Sequence, residues 1–182
     1  MASEFQRDKL VTMFRAFDAD DNGYLDRRDF QALAERWKDL PRVRPGSELA
    51  ARVDTVMLGW WDLLAAHVDA DGDGRVDLDE ILAMVDRLPT MREVVAETAE
   101  TVFDAVDENG DGRISPVEHR RLVDTWHGES VDLGDVFDRL DRDGDGHLSR
   151  TEFTELWIQF WTSDDPAEPG NQLCGPVPPR LR

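Results

Sequence analysis

Apolar residues return at helical spacing in two series along the chain. In the first, Leu10, Met13, Phe14 and Phe17 fall at i, i+3, i+4 and i+7, which places them on one face of a helix. The same offsets hold Trp61, Leu64, Ala65 and Val68, then Ala99, Val102, Phe103 and Val106, then Leu133, Val136, Phe137 and Leu140. The second series is Phe30, Leu33, Ala34 and Trp37, then Ile81, Met84, Val85 and Leu88, then His119, Leu122, Val123 and Trp126, then Phe153, Leu156, Trp157 and Phe160. Only His119 interrupts the apolar set, and it reads as a half-buried, hydrogen-bonded residue. A short polar stretch separates each set of the first series from its partner in the second. The pattern predicts an all-α chain of four helix-loop-helix units. Each exposes an apolar face that it cannot bury alone, so the units should associate in two compactly packed pairs.

The polar stretches share one internal order. From Asp69 to Glu80, Asp69, Asp71, Asp73, Asp77 and Glu80 stand at positions 1, 3, 5, 9 and 12, with Gly74 at position 6 and the carbonyl of Arg75 at position 7. Asp107, Asn109, Asp111, Arg113, Ser115 and Glu118 repeat this spacing, as do Asp141, Asp143, Asp145, His147, Ser149 and Glu152. A fourth copy holds Asp18, Asp20, Asn22, Tyr24 and Asp26, but closes on Asp29 where the others have glutamate. This is the EF-hand loop: carboxylates and one carbonyl supply the oxygens that a hard divalent cation takes, while glycine permits the turn. Three to four Ca²⁺ sites are expected. Asp29 is one methylene shorter than glutamate and less able to give both oxygens to a large ion, so the first loop is expected to be weak for Ca²⁺ or to prefer Mg²⁺.

At position 8 of each loop, Leu25, Val76, Ile114 and Leu148 sit in short extended segments that can join in antiparallel bridges. Ser115 with Glu118, and Ser149 with Glu152, have capping-box spacing, and Pro116 suits a first helical position. Loop starts are 51, 38 and 34 residues apart. The widest gap holds the interruption from Leu40 to Gly46, after which Ser47 caps a long helix. Pro89 and Thr90 mark a tight junction, giving an N-terminal pair over 1–89 and a C-terminal pair over 90–162. Residues 163–182 are rich in proline and glycine and form a tail unsuited to a helix. A free end is one reading of it.

The net charge of −19 concentrates in and beside the loops, where four divalent ions would offset roughly 8 charges. It speaks for cations and against nucleic acid or an anionic membrane as partner. No apolar run is long enough to span a bilayer. The start MASEFQRDKL lacks a secretion signal and the single Cys174 cannot form an internal disulfide, so a cytoplasmic monomer is expected. Cys174 has no nearby base, and His67, His119, His127 and His147 show no catalytic or zinc spacing, so no enzyme is expected.

Four such loops, the wide first gap, six tryptophans and the tail from Thr162 to Pro176 resemble the sarcoplasmic calcium-binding proteins, including their bacterial calerythrin-like members. Two lysines against nineteen arginines fit a GC-rich bacterial genome. The resemblance implies a compact cytoplasmic calcium buffer whose tail folds back, with Leu173 and its neighbours covering an apolar surface. A calcium sensor offering an apolar surface to a protein target is the alternative. Met13, Met57, Met84 and Met91 are scattered and give no methionine-rich groove. A luciferin-binding photoprotein is more remote, because the only tyrosine, Tyr24, lies in a metal loop.

Overall fold

The computed structural model describes residues 3–84 and 92–176, with the side chains of Met84, Arg92, Glu93, Val94 and Glu97 left aside. The chain runs α1 (Glu4–Phe17), α2 (Arg27–Lys38), α3 (Glu48–His67), α4 (Leu78–Met84), α5 (Arg92–Val106), β1 (Arg113–Ile114), α6 (Pro116–His127), α7 (Val136–Leu140), β2 (Leu148–Ser149) and α8 (Arg150–Thr162), then a 3₁₀ turn over Pro169–Gln172. The expected junction at Pro89–Thr90 and the face residues Val85 and Leu88 lie outside the described residues.

Helix starts are set by side chains that satisfy the first free amides. Ser3 and Ser47 accept from the amides of Gln6 and Ala50. Ser115 and Ser149 form the expected capping boxes with Glu118 and Glu152. Asp26 with Asp29 forms another, and Asp77 does the same for α4, accepting from the Glu80 amide at 2.9 Å. Gly128 ends α6 at φ 72°, a conformation that favours glycine, and a Cβ there would strike the Arg36 guanidinium.

Loops pair as the extended segments suggest. Leu25 and Val76 exchange both backbone hydrogen bonds at 2.8 and 2.9 Å, joining the first two loops. β1 and β2 join the other two, with Ile114 opposite Leu148. All four position-8 side chains are buried, so each bridge lies beneath its pair of loops and ties it to the core. α7 is shorter than the periodicity predicts. Gly134 takes φ 49°, and Leu133 lies ahead of the helix although its side chain is still buried.

The two halves meet on aromatic rings. Phe17 packs on Trp126 at a centroid distance of 5.1 Å, and Trp60 contacts Trp126, Trp157 and Trp161 at 5.4–6.2 Å. Such pairs contribute about 0.5–1.5 kcal/mol each beyond area burial. Trp157 also donates its indole N–H to Thr98 at 2.9 Å, so this interior ring is satisfied as well as packed.

The tail closes over α1, α6 and α8. Leu173 is fully buried and Cys174 nearly so, with the thiol pKa pushed up by burial. His119 is fully buried, more than its position predicts; its Nε2 meets the Leu173 carbonyl at 2.9 Å, and His127 meets that of Cys174 at 2.8 Å. Burial pushes His119 down to about 4, against the hydrogen bond to Leu173, so the ring is neutral near pH 7. Lys9 donates to the Ser163 carbonyl at 2.7 Å and to Asn171 Oδ1 at 2.9 Å. A short 3₁₀ turn thus forms where composition argues only against a helix.

Burial pulls Lys9 down to about 8, while Asp164 and Cys174 act in the opposite direction. Below pH 8 both folded and unfolded chains hold the proton and the fold bears the whole desolvation cost. Between about 8 and 10.5 the unfolded chain binds more protons, so this group makes stability rise with pH, by about 3 kcal/mol. Denaturation midpoints at pH 8 and pH 10 should show this rise in the parent chain relative to Lys9→Met. Equal pH dependence in both would contradict a buried amine at the tail clasp.

Candidate metal centres

Each loop folds around its position-1 aspartate, whose carboxylate gathers loop amides. Asp69 accepts from Gly72 and Gly74 at 2.7 and 3.0 Å, Asp141 from Gly144 and Gly146 at 2.9 and 2.8 Å, and Asp18 from Asn22 and Gly23 at 3.0 and 2.9 Å. Turn geometry therefore depends on the same oxygens that face a cation. Positions 3 and 5 follow the rule, with Asp71 accepting from the Asp73 amide and Asp73 from the Arg75 amide.

The position-12 acid fastens the loop to the outgoing helix. Glu80 accepts from the amides of Ala70 and Asp77 at 2.8 and 2.9 Å, and Glu118 from those of Glu108 and Ser115 at 2.9 and 2.8 Å. Glu152 accepts from the Ser149 amide and hydroxyl. Asp29, though shorter, reaches the equivalent amides of Ala19 and Asp26 at 3.0 and 2.8 Å. It is 3% exposed, and burial raises its pKa against those two hydrogen bonds, with Asp26 and Asp20 adding to the rise. Asp26 itself is held below the usual carboxylate range by the Arg28 guanidinium.

The donors converge as a hard cation requires. Carboxylate oxygens of Asp18, Asp20 and Asp29 lie within 4.8 Å of one another, as do those of Asp69, Asp71 and Asp73, and those of Asp141, Asp143 and Glu152. All-oxygen sets of this kind suit Ca²⁺ or Mg²⁺ rather than a metal that prefers nitrogen or sulfur. Among the described residues, the third loop forms no such acidic group. Asn109 donates to Asp111 at 2.9 Å there, and Ser115 stands at position 9. The position-7 side chains point away to other work: Arg75 lies over the Tyr24 ring at 5.4 Å, and Arg113 meets Asp145 across the paired loops at 3.3 Å. His147 is half-exposed, with its amide donating to Asp145.

Sequence reasoning missed the cations that attend these loops. Arg42, from the interruption between α2 and α3, pairs with Asp107 at 2.9 Å, and Arg121 pairs with Glu108. Their sequence separations carry no local signal. Asp26 and Asp77, candidate ligands in the sequence, also cap α2 and α4, a second role that reading the loops for metal spacing alone left out, although Asp77 with Glu80 has capping-box spacing.

A family model for an EF-hand domain pair matches residues 7–86 and 96–158. A sarcoplasmic calcium-binding protein of Scylla paramamosain is 31% identical over 115 residues, covering 57% of this chain and 58% of that protein. The chain thus spans less than two thirds of the length of such curated relatives. A sarcoplasmic calcium-binding protein from amphioxus shares the fold with a TM-score of 0.74 at 21% identity, covering 98% of this chain and 100% of that one. A Streptomyces coelicolor calcium-binding protein, described as a basis for prokaryotic calcium-mediated regulation, gives a TM-score of 0.66 at 26% identity, covering 87% and 98%. Calcium-loaded apo-aequorin from Aequorea victoria shares the fold alone, at 18% identity, a TM-score of 0.74 and coverage of 91% and 94%. The resemblance to sarcoplasmic calcium-binding proteins drawn from loop spacing and tail is matched by these relatives. With four oxygen-lined loops arranged as two bridged pairs, the chain belongs to the EF-hand domain pair family.

Proposed function

We propose that the chain is a cytoplasmic, monomeric calcium buffer or store, binding Ca²⁺ through three to four loops, with the first loop weaker or Mg²⁺-preferring. The observation that carries the buffering part is the closed centre. Indole rings from both halves fill the space between them, and Leu173 seals it from the tail side. A sensor must part such surfaces to dock a target, and each parting here would expose several tryptophans to water.

Ligand assignments follow the loops. Asp69, Asp71, Asp73, the Arg75 carbonyl, Asp77 and Glu80 would hold one ion. Asp107, Asn109, Asp111, the Arg113 carbonyl, Ser115 and Glu118 would hold another. Asp141, Asp143, Asp145, the His147 carbonyl, Ser149 and Glu152 would hold a third, and Asp18, Asp20, Asn22, the Tyr24 carbonyl, Asp26 and Asp29 the weaker fourth. The N-terminal pair over 1–89 and the C-terminal pair over 90–162 are the two binding units. Support for a weaker first loop comes from its short position-12 acid and from Arg28, which donates to both oxygens of Asp26.

The sensor reading draws on the Streptomyces coelicolor neighbour and its description in terms of calcium-mediated regulation. The photoprotein reading has a shared fold behind it, but the centre is filled by the chain's own rings and Tyr24 is 42% exposed in its loop. Among the described residues, no helix is long and apolar enough to cross a membrane.

Two outcomes are expected. With magnesium held constant, added calcium should lower binding of a hydrophobic dye and reduce the hydrodynamic radius; a rise in dye binding by a compact protein would favour the sensor. In calorimetry, about 1 mM Mg²⁺ should weaken or remove one calcium step, on the octahedral preference of Mg²⁺, and Asp29→Glu should abolish that effect. Four equal calcium steps indifferent to magnesium would contradict the assignment of the first loop.

A further inference from the structure

The third loop differs from the others in its electrostatics. Its expected ligands include three carboxylates, Asp107, Asp111 and Glu118, where the first and fourth loops have four and the second has five. It is also the loop with a guanidinium on its leading ligand. Arg42 Nη1 forms an ion pair with Asp107 Oδ2 at 2.9 Å and donates to the Asp107 carbonyl at 2.5 Å. Among the described residues, no ion pair reaches Asp18, Asp69 or Asp141, the equivalent aspartates.

The pair is built into the fold. Asp107 is 1% exposed, and its remaining acceptor positions take the amides of Gly110 and Gly112 at 2.9 and 3.1 Å. Arg42 also lies against the loop backbone, 3.6 Å from where a Cβ on Gly110 would stand. It arrives from the other half of the molecule, 65 residues away, held between the buried side chains of Leu40 and Val43. On its outer side an open groove of about 550 Å³, also lined by Arg52, Asp104 and Glu108, gives the side chain room to leave. Its charge therefore sits beside the loop in a poorly screened position while keeping a route to solvent.

We propose that Arg42 is a tethered internal counter-cation of the third loop, which competes with a divalent ion for Asp107, lowers that loop's affinity and links its occupancy to the N-terminal half. This rests on the reading of the third loop as a metal site. In the ion-free protein the guanidinium compensates a carboxylate that burial would otherwise leave costly. When a divalent ion takes Asp107, two cations share one carboxylate and repel each other, so binding must oppose Arg42 or displace it into the groove. The segment from Leu40 to Gly46, which widens the first gap, thereby sets the affinity of a loop in the other half.

Calcium calorimetry on the 182-residue chain tests this with Arg42→Gln, Arg42→Lys and Glu118→Gln, the last marking which step belongs to the third loop. The step lost in Glu118→Gln should tighten about tenfold in Arg42→Gln, equivalent to about 1.4 kcal/mol. Arg42→Lys, which keeps the charge, should leave it nearly unchanged. Without calcium, Arg42→Gln should melt below the parent chain, because Asp107 loses its partner. If Glu118→Gln removes a step that Arg42→Gln leaves unchanged or weakens, Arg42 only props the loop and the proposal is wrong. If Glu118→Gln removes no step, with or without Arg42, the third loop is no metal site and the underlying reading fails as well.

Discussion

The structure depends on one shared carboxylate at the end of each loop. In the first three loops the position-12 acid accepts amide hydrogens from positions 2 and 9, and in the fourth it holds Ser149 at position 9. Those amides are the loop's opening turn and the start of its outgoing helix. The same oxygens that suit a hard cation therefore decide where the helix begins, and the residue just before each cap, at position 8, carries the bridge to the partner loop. Loop geometry, helix direction and pairing are not separable here. A cation entering such a loop finds its oxygens already gathered by amide hydrogens and acts on a frame that is largely built.

From this frame the apolar faces follow, and from the faces the closed centre. Helices leaving the bridged loops direct Trp37, Trp126 and Trp157 inward, and Phe17 and Trp60 complete the contact between halves. Polar ties then fix the halves and the tail. Arg36 reaches the Ala16 carbonyl near the end of α1 and lies against the end of α6, where a cation is favoured by both helix termini. Arg52 and Arg150 share Asp104; burial works to raise its pKa, but the two guanidiniums outweigh that and hold it low. Lys9, His119 and His127 hold the tail by its carbonyls and by Asn171. Closing the centre thus costs desolvation of a few well-placed polar groups, offset by hydrogen bonds and by the rings they enclose.

Local features were legible in the sequence because their partners are near in the chain. The loop carboxylates at fixed offsets, the capping boxes at Ser115 and Ser149, the cap at Ser47 and the bridge residues all depend on spacings of a few residues. The helix faces were legible for the same reason, through their period. What escaped depends on distant partners: Lys9 with Asn171 is separated by 162 residues and Arg42 with Asp107 by 65. His119 broke an apolar stripe, and only the Leu173 carbonyl brought by the tail explains how an imidazole can be fully buried there. The shortness of α7 escaped because burial of Leu133 preserves the apolar period while Gly134 interrupts the helix.

The central claim is that ion binding tightens a frame that is already closed, rather than opening one. Native-state amide hydrogen exchange tests it most directly, at the bridge amides of Leu25, Val76, Ile114 and Leu148 and at the tail amides of Asn171, Leu173 and Gly175. On addition of calcium, protection should rise at the bridges and rise or hold in the tail. Loss of tail protection as the loops fill would contradict the account, because it would mean that calcium releases the cover over the aromatic centre.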